Sequence, residues 1–260
     1  MKNANVCDAL ARVMDAQNNL TAAVQALTAI IDNAPAIDDV PTFEQVERDI
    51  AAGNMDKYRI GGLIRARHEV HGTIPFIIIG KGHDHEPDGS GTERITAQAL
   101  HVLEYRPFAV PKKGYPWGQN DYVASDIRDY LNGTFFDDFA DEDKQAVVGA
   151  LKRTYTPNYD DLRGPGYFSM TRELFFLLSA SEAGFKGDNI MDEGPVYAFY
   201  KACDEKLRIK TDQDDDETFW WLRSPYPSNL IVRYVNTSGA LSNSNANGGL
   251  GLAPACVIGK

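Results

Sequence analysis

The residues best suited to binding chemistry lie near the end of the chain, between residues 226 and 250. This stretch is rich in Tyr, Ser, Asn and Gly. Tyrosine provides rigid amphipathic contact area, while Ser, Asn and Gly provide adaptable hydrogen bonding, as in antibody paratopes. The composition predicts a ligand-recognition surface, and the alternative is a flexible loop without a role. The candidate contact residues are Tyr226, Ser228, Asn229, Leu230, Ile231, Arg233, Tyr234, Ser242, Asn243, Ser244, Asn245, Asn247, Gly248, Gly249 and Leu250.

Residue types that support catalysis or metal binding are few and lack the necessary spacing. His83 and His85, with His68 and His71 nearby, are of a type that binds zinc, but no partner spacing matches a zinc site. The acidic run at 212–217 lacks the alternating ligands and the Gly of an EF-hand loop. The chain contains no phosphate-binding GxxxxGK[ST], no nucleophile elbow and no HExxH. We therefore expect no catalytic residue, no metal and no cofactor.

Two apolar segments flank the candidate contact residues and are expected to position them. WWLRSP at 220–225 and LAPACVI at 252–258 are apolar enough to be core strands. Between them, Val232 and Val235 recur, and NTSG at 236–239 is typical of a turn between two short strands. The pattern predicts paired strands that bury Trp220, Trp221 and the final Val-Ile pair. It also predicts that the candidate side chains lie exposed on one face.

These segments, with others upstream, resemble segments of known protein families. WWLRSP, VNTSG and APACVI, in this order, resemble the C-terminal repeat of variable proteins made by diversity-generating retroelements, which have a C-type-lectin-like fold. SDIRDYLN at 125–132 and LFFLLS at 174–179 are similar to an uncharacterised lectin-like domain family that ends in WWLRSP. TFEQV at 42–46 resembles the usual beginning of that domain. The similarity spans roughly residues 42–260.

The resemblance implies an α+β, C-type-lectin-like domain over 42–260 with a variable region at about 220–258. In such systems adenines are copied with errors, so that AAC codons for Asn become codons for many residue types. Leu230, Ile231 and Leu250 are unusual in exposed loops and fit this expectation. The resemblance implies a ligand- or receptor-binding protein from a phage or a gut bacterium, with a protein or glycan target on a cell surface. The alternatives are a structural or decoration protein of a virion and, less favoured, an enzyme on the same fold.

Apolar residues between Val6 and Ile31 follow an uninterrupted heptad pattern. The pattern predicts an N-terminal coiled-coil helix within residues 1–34, followed by a linker at 35–41, and hence a homo-oligomer. The polar Gln17 occupies an a position, where it would set the register. β-Branched residues at both a and d positions, with the resemblance to phage attachment proteins, favour a trimer over a dimer. The alternative is an amphipathic helix that packs on its own domain.

The amino-acid composition limits the possible binding partners of the protein and its expected cellular location. The 260 residues carry a formal net charge of −11, which argues against nucleic acid as a partner because such a surface needs basic residues. The three cysteines lie far apart without CxxC spacing, as is typical of free thiols in a reducing cytoplasm. The N-terminus has no signal core, and no run of eighteen apolar residues occurs. We expect synthesis in the cytoplasm without a signal peptide, no membrane insertion, and association with a virion.

Local patterns within 42–260 predict short helices, short strands and long loops, which favour an α+β fold over a βαβ repeat. Thr42 followed by Gln45 is typical of a capping box that begins a helix ending near Ala52. Further helices are expected after the caps Ser125 and Asp141, and from Pro195. In residue numbers, the predicted helices are 42–52, 126–131, 142–151 and 195–207, the predicted strands are 58–65, 73–80 and 173–179, residues 95–103 are a strand or short helix, and 81–94 is a polar loop.

Overall fold

The computed structural model describes residues 37–159, 166–187, 189–201, 204–228 and 230–260. Residues 41–260 form one compact unit. Of residues 1–40, only the last four are described, and Ile37–Asp39 is a 3-10 helix. The predicted heptad helix, Cys7, Cys203 and the candidate contact residue Asn229 lie outside the described residues. The oligomer predicted from the heptad pattern therefore stays a prediction.

Two of the three predicted side-chain caps, Thr42 and Ser125, begin α-helices, whereas the prediction of Asp141 as a cap is wrong because Asp141 is the first residue of its helix and the cap position is Ala140, without a side-chain cap bond. Thr42 accepts a hydrogen bond from the Gln45 N–H at 3.2 Å, and Ser125 accepts one from the Arg128 N–H at 3.2 Å. Both caps satisfy backbone donors that the first helical turn leaves without a partner. In the described residues the α-helices are α1 (Phe43–Ala51), α2 (Asp126–Leu131), α3 (Thr134–Asp137) and α4 (Asp141–Ala146), and 3-10 helices cover Met55–Lys57, Ala198–Tyr200 and Glu205–Arg208.

Most of the regular structure is antiparallel sheet. The described strands are β1 (Leu63–His68), β2 (Gly72–Lys81), β3 (Ile95–Ala99), β4 (Tyr105–Pro107), β5 (Val147–Val148), β6 (Ala150–Thr156), β7 (Tyr167–Glu173), β8 (Phe175–Phe176), β9 (Lys210–Thr211), β10 (Glu217–Thr218), β11 (Trp220–Pro225), β12 (Ile231–Val235), β13 (Leu241–Asn245), β14 (Gly249–Gly251) and β15 (Ala255–Ile258). One sheet has the order β1-β2-β3-β15-β5, with β8 also paired to β15, and the other has the order β13-β12-β11-β14-β4. Two separate pairs, β6 with β7 and β9 with β10, complete the arrangement. Short helices beside antiparallel strands make this an α+β unit, as predicted.

Strand β11 joins the two halves of the hydrophobic core. Trp220 and Trp221 are both 0% exposed. Because neighbouring residues of a strand point to opposite faces, the two indoles enter different clusters. Trp221 contacts Phe108 at a centroid distance of 5.9 Å in the cluster that includes Phe76, and Trp220 lies in the cluster that includes Phe176. The predicted burial of both Trp residues is confirmed, as is that of the C-terminal Val257-Ile258 pair.

Four predicted elements differ from the structure. The helix expected at 142–151 ends at Ala146, because Val147 and Val148 pair with β15 instead. The helix that was expected from Pro195 is replaced by the 3-10 helices Ala198–Tyr200 and Glu205–Arg208. The strands expected at 58–65 and 173–179 are shifted or shortened to β1 and β8. Within the described residues, no helix is long and apolar enough to cross a membrane.

Candidate functional site

Residues 226–250, named here the recognition segment, are built on a β-hairpin at one edge of the second sheet. Strands β12 and β13 pair from Ile231 opposite Asn245 to Val235 opposite Leu241. The turn between them was predicted correctly. Asn236 Oδ1 accepts hydrogen bonds from the N–H groups of Ser238 and Ala240, at 3.0 and 2.9 Å. The turn positions the two strands so that their side chains face each other in register.

The side chains of the recognition segment divide between both faces of this hairpin. Residues directly opposite each other in an antiparallel pair share a face, and the faces alternate along each strand. The register therefore gives one face with Tyr234, Ser242 and Ser244, and a second face with Ile231, Arg233, Asn243 and Asn245. We name them the Trp221 face and the Arg233 face. The prediction that the candidates of the hairpin lie on one face is wrong, because two adjacent strand residues cannot both point outward on the same side.

The Trp221 face is amphipathic. The Tyr234 ring makes edge contacts with Trp221 and Phe219, at centroid distances of 6.4 and 5.9 Å. Phe219 is 40% exposed, and Leu250 is half-buried against the same core cluster as Tyr234. This side of the hairpin offers aromatic and apolar area beside serine hydroxyls.

The Arg233 face is polar. Asn243 and Asn245 are exposed, and no hydrogen bond within the described residues occupies their side-chain amides. Arg233 is buried, with its guanidinium carbon 4.5 Å from the centre of the Tyr226 ring. Burial lowers the pKa of Arg233, and the Tyr226 phenol acts in the opposite direction. This side of the hairpin offers amides and one cation.

The loop before β12 is held by a buried residue far away in sequence. The Asn120 side-chain amide donates to the carbonyl oxygens of Tyr226, Ser228 and Ile231, at 3.1, 2.7 and 2.8 Å. Asn120 is 0% exposed, and its own Oδ1 accepts from the Tyr159 hydroxyl at 2.9 Å. These bonds involve only backbone atoms of the loop, so they can form whichever side chains Tyr226, Ser228 and Ile231 are replaced by.

Some of the candidate contact residues help to shape the segment. The Ser228 hydroxyl accepts hydrogen bonds from the N–H groups of Leu230 and Ile231, at 3.3 and 3.0 Å. The Asn247 N–H donates to the Trp117 carbonyl at 3.0 Å, and the Gly248 N–H donates to the Asn245 carbonyl at 2.9 Å. Ser228 thus closes the first loop internally, and residues 245–248 form a second tight turn.

Sequence reasoning missed a cluster of buried charges built around β11. Arg223, in the middle of WWLRSP, is 0% exposed and contacts Glu182 at 2.5 Å. Lys152 lies 2.6 Å from the other oxygen of Glu182 and 2.9 Å from Asp84. Glu193 accepts a short hydrogen bond from Ser224. The signal in the sequence was an arginine inside an apolar strand, because a buried charge requires a partner.

The protonation states in this cluster follow from its geometry. Burial opposes the ionisation of Glu182, but the charges of Arg223 and Lys152 outweigh it and hold the pKa of Glu182 below its ordinary value. Burial raises the pKa of Glu193, against the smaller effects of Arg223 and Ser224. A cavity of about 280 Å³ opens beside Lys152 and Glu182. The ionised groups of the cluster are matched within the protein and stabilise the junction of β6 with β11.

The histidines and the acidic run fill structural positions. His68 Nδ1 accepts from the N–H groups of Val70 and His71, both at 3.2 Å. His83 stacks on Tyr197 at 3.9 Å. Asp212 accepts from two backbone N–H groups of its own turn, between β9 and β10. Within the described part of the chain, no group of three or more His, Cys, Asp or Glu side chains is arranged to hold a metal ion.

A family model described as "Domain of unknown function (DUF6273)" matches residues 102–260. The match covers more than half of the chain, and the chain belongs to this family. It includes Asn120, β11 and the whole recognition segment. No curated protein and no solved structure matches the chain.

Proposed function

We propose that this protein is a ligand-binding protein whose contact surface is the recognition segment, diversified by a retroelement on a C-type-lectin-like fold. Its target is a protein or glycan on a cell surface. Its role is attachment or tail-associated recognition by a phage, in a virion-associated homo-oligomer.

The observation that carries the proposal is the division of burial along the recognition segment. The framework residues Val232, Val235 and Ala246 are 0% exposed. In contrast, each described candidate contact residue except Arg233 is half-buried or exposed. Side chains outside the core can be exchanged at a cost of a few tenths of a kcal/mol, whereas core exchanges cost several times more. The segment therefore combines a fixed frame with replaceable surface positions, which is what a diversified binding site needs.

Two glycines illustrate the same division. A Cβ atom added to Gly249, a candidate contact position, meets nothing within 4 Å. One added to Gly251, two residues later in the same strand, would lie 2.3 Å from the Phe219 carbonyl oxygen. Gly249 accepts other residues, while Gly251 is required where β14 approaches β11. This difference supports a variable residue at position 249 and an invariant glycine at position 251.

Oligomerisation would suit a contact surface of this size. The fifteen candidate residues are fewer than the roughly 20–30 residues per side of a standard protein interface. Several copies joined through the heptad segment would raise the apparent affinity by about 10²–10⁴ without any new contact.

The genomic test looks for the diversifying machinery. We expect a reverse transcriptase gene and a near-identical template repeat close to this gene. Copies from one lineage should differ at positions such as Tyr234, Asn243 and Leu250, with adenines at the corresponding template sites. Differences spread evenly over residues 42–260, without a template repeat, would contradict the proposal and favour a structural role in the virion.

The protein-level test exchanges surface and frame residues separately. A variant that changes Tyr226, Asn243 and Asn245 together should keep its melting temperature within a few degrees of the parent, because these side chains are exposed or half-buried. The matched control changes Val232 and Ala246 to Asn, which places two amides in the core and should lower the melting temperature strongly. If circular dichroism shows that the surface and the frame substitutions lower the melting temperature equally, the surface positions do not tolerate substitution better than the frame.

A further inference from the structure

Among the described residues, the buried cations have partners within the protein, with one exception. Arg223 and Lys152 contact Glu182, at 2.5 and 2.6 Å. The Arg208 Nε donates to the Gly239 carbonyl at 2.9 Å, and the Lys210 Nζ donates to the Ala99 carbonyl at 2.6 Å. This is the usual arrangement, because an unpaired charge away from water is strongly disfavoured.

Arg233 is the exception. It is 9% exposed, and its Nε is buried without a hydrogen-bond partner. Across the described ranges, no hydrogen bond or ion pair joins its guanidinium to another residue. Its contact with the Tyr226 ring is a cation–π interaction, which is weaker than a charge-assisted hydrogen-bonded pair. The contact with the ring leaves the N–H donors of the guanidinium unused.

The surroundings of Arg233 indicate which kind of group would use these donors. Asn243 lies directly opposite Arg233 on the same face, and Asn245 follows two residues later. Both are exposed, with side-chain amides that hydrogen-bond to nothing in the described part of the protein. A planar guanidinium matches a carboxylate in a bidentate pair, and amides bind hydroxyl groups as donors and acceptors. The Arg233 face therefore provides one position for an anion beside positions for hydroxyls.

We propose that the Arg233 face is a subsite for the carboxylate of an acidic sugar, with Arg233 binding the carboxylate and Asn243 and Asn245 binding neighbouring hydroxyls. This inference rests on the proposed ligand-binding function and specifies the ligand class of that site. A glycan is favoured over an acidic protein because the exposed residues of this face are amides. Protein interfaces are centred on aromatic and apolar anchors, and the aromatic contacts of Tyr234 with Trp221 and Phe219 lie on the opposite, Trp221 face.

The test measures binding of the full chain to three immobilised probes by biolayer interferometry. The probes are an oligosaccharide that ends in glucuronate, the same oligosaccharide ending in glucose, and a Gly-Asp peptide. We expect the glucuronate probe to bind at least about tenfold more tightly than the glucose probe. Added salt should weaken the binding of the glucuronate probe because it screens the charges. Arg233→Met should abolish this difference, and Arg233→Lys should retain part of it, because Lys keeps the charge but not the planar fork.

A control uses Arg153, an arginine that contacts an aromatic ring on another hairpin and also pairs with Asp192. Arg153 lies 3.6 Å from the centre of the Phe168 ring, outside the recognition segment. Arg153→Met should leave glucuronate binding unchanged. Arg233→Met should also keep or raise the melting temperature, since it removes a buried charge that has no partner. A loss of folding in this variant would show that Arg233 has a structural partner and would overturn the proposal.

Other outcomes have equally definite meanings. Equal binding of the glucuronate and glucose probes, or full glucuronate binding by Arg233→Met, overturns the proposal. Capture of the peptide but not of the glucuronate probe assigns Arg233 to an acidic protein ligand and overturns the glycan assignment. The genomic test of diversification is independent. A missing template repeat leaves the carboxylate subsite standing, and a missing carboxylate subsite leaves diversification standing.

Discussion

Replacing Asn120 by Asp tests whether the recognition segment is positioned by its frame. The substitution keeps the size and shape of the side chain and still accepts the Tyr159 hydrogen bond. It removes the amide that donates to the carbonyls of Tyr226, Ser228 and Ile231. A buried carboxylate would then face carbonyl oxygens, which repel it.

The expected effect follows from the hydrogen bonds that are lost. An amide has two hydrogens, so two net hydrogen bonds disappear at about 1 kcal/mol each, and the Ser228 carbonyl, left without a donor among the described residues, adds about 1–3 kcal/mol. The carbonyls of Tyr226 and Ile231 keep the N–H groups of Ser228 and Tyr226 as donors. The free energy of unfolding should fall by about 3–5 kcal/mol. For a unit of this size, the melting temperature should fall on the order of 10 °C. Because the carboxylate is disfavoured here, its pKa should be raised, and acidic pH should restore one donor and part of the stability.

The assay combines thermal unfolding with hydrogen exchange of residues 226–231. Asn54→Asp is the matched control, because it makes the same chemical change at an exposed position whose side chain makes no capping hydrogen bond, and it should alter stability by less than about 0.5 kcal/mol. In Asn120→Asp, the backbone amides of residues 226–231 should lose their protection from hydrogen exchange before those of the core. The variant should also bind ligand more weakly. Identical melting temperatures and loop protection in the two variants at neutral pH would refute the role assigned to Asn120.

Further predictions concern the charge cluster, the core and assembly. Glu182→Gln should lower the free energy of unfolding by about 3–5 kcal/mol in urea denaturation, because it breaks the buried contacts with both cations. The pKa of Glu193 is raised by burial, so its stabilising effect is complete below its unfolded pKa and is lost as the pH rises through its folded pKa. Glu193→Gln should remove this loss of stability with rising pH in pH-dependent melting curves. Trp221→Ala should cost about 3–5 kcal/mol, whereas Asn245→Ala should stay within about 0.5 kcal/mol, and equal costs would contradict the division of burial. In light scattering, the full chain should be a trimer and a chain starting at Thr42 a monomer; two monomers would mean that the heptad helix does not drive association.

The sequence predicted best the features that depend on neighbouring residues. The caps at Thr42 and Ser125 and the turn at 236–239 are made by side chains that bond to backbone groups two to four residues away. The burial of Trp220 and Trp221 followed from the hydrophobicity of their segment. Such features depend on local chemistry and do not require knowledge of the fold.

Other segments depended on partners elsewhere in the chain. The pattern after Pro195 favoured a helix, but Tyr197 donates its hydroxyl to Asp84 and Tyr200 donates to Gln98, at 2.8 and 2.6 Å. These buried bonds hold the segment in a 3-10 conformation. Likewise, Val147 leaves its helix to pair with Ile258 in the sheet. Tertiary hydrogen bonds here outweigh helix propensities of less than about 1 kcal/mol per residue.

For the candidate site, the sequence by itself determined which residue types are gathered in the recognition segment and where its turn lies. Only the tertiary structure decided which of them act together. The register of β12 and β13 places Arg233 beside Asn243 and separates it from Tyr234, because the side chains of a strand alternate between its faces. Asn120 reaches the loop across more than 100 residues of sequence, and no local pattern records a contact that is made only when the chain folds.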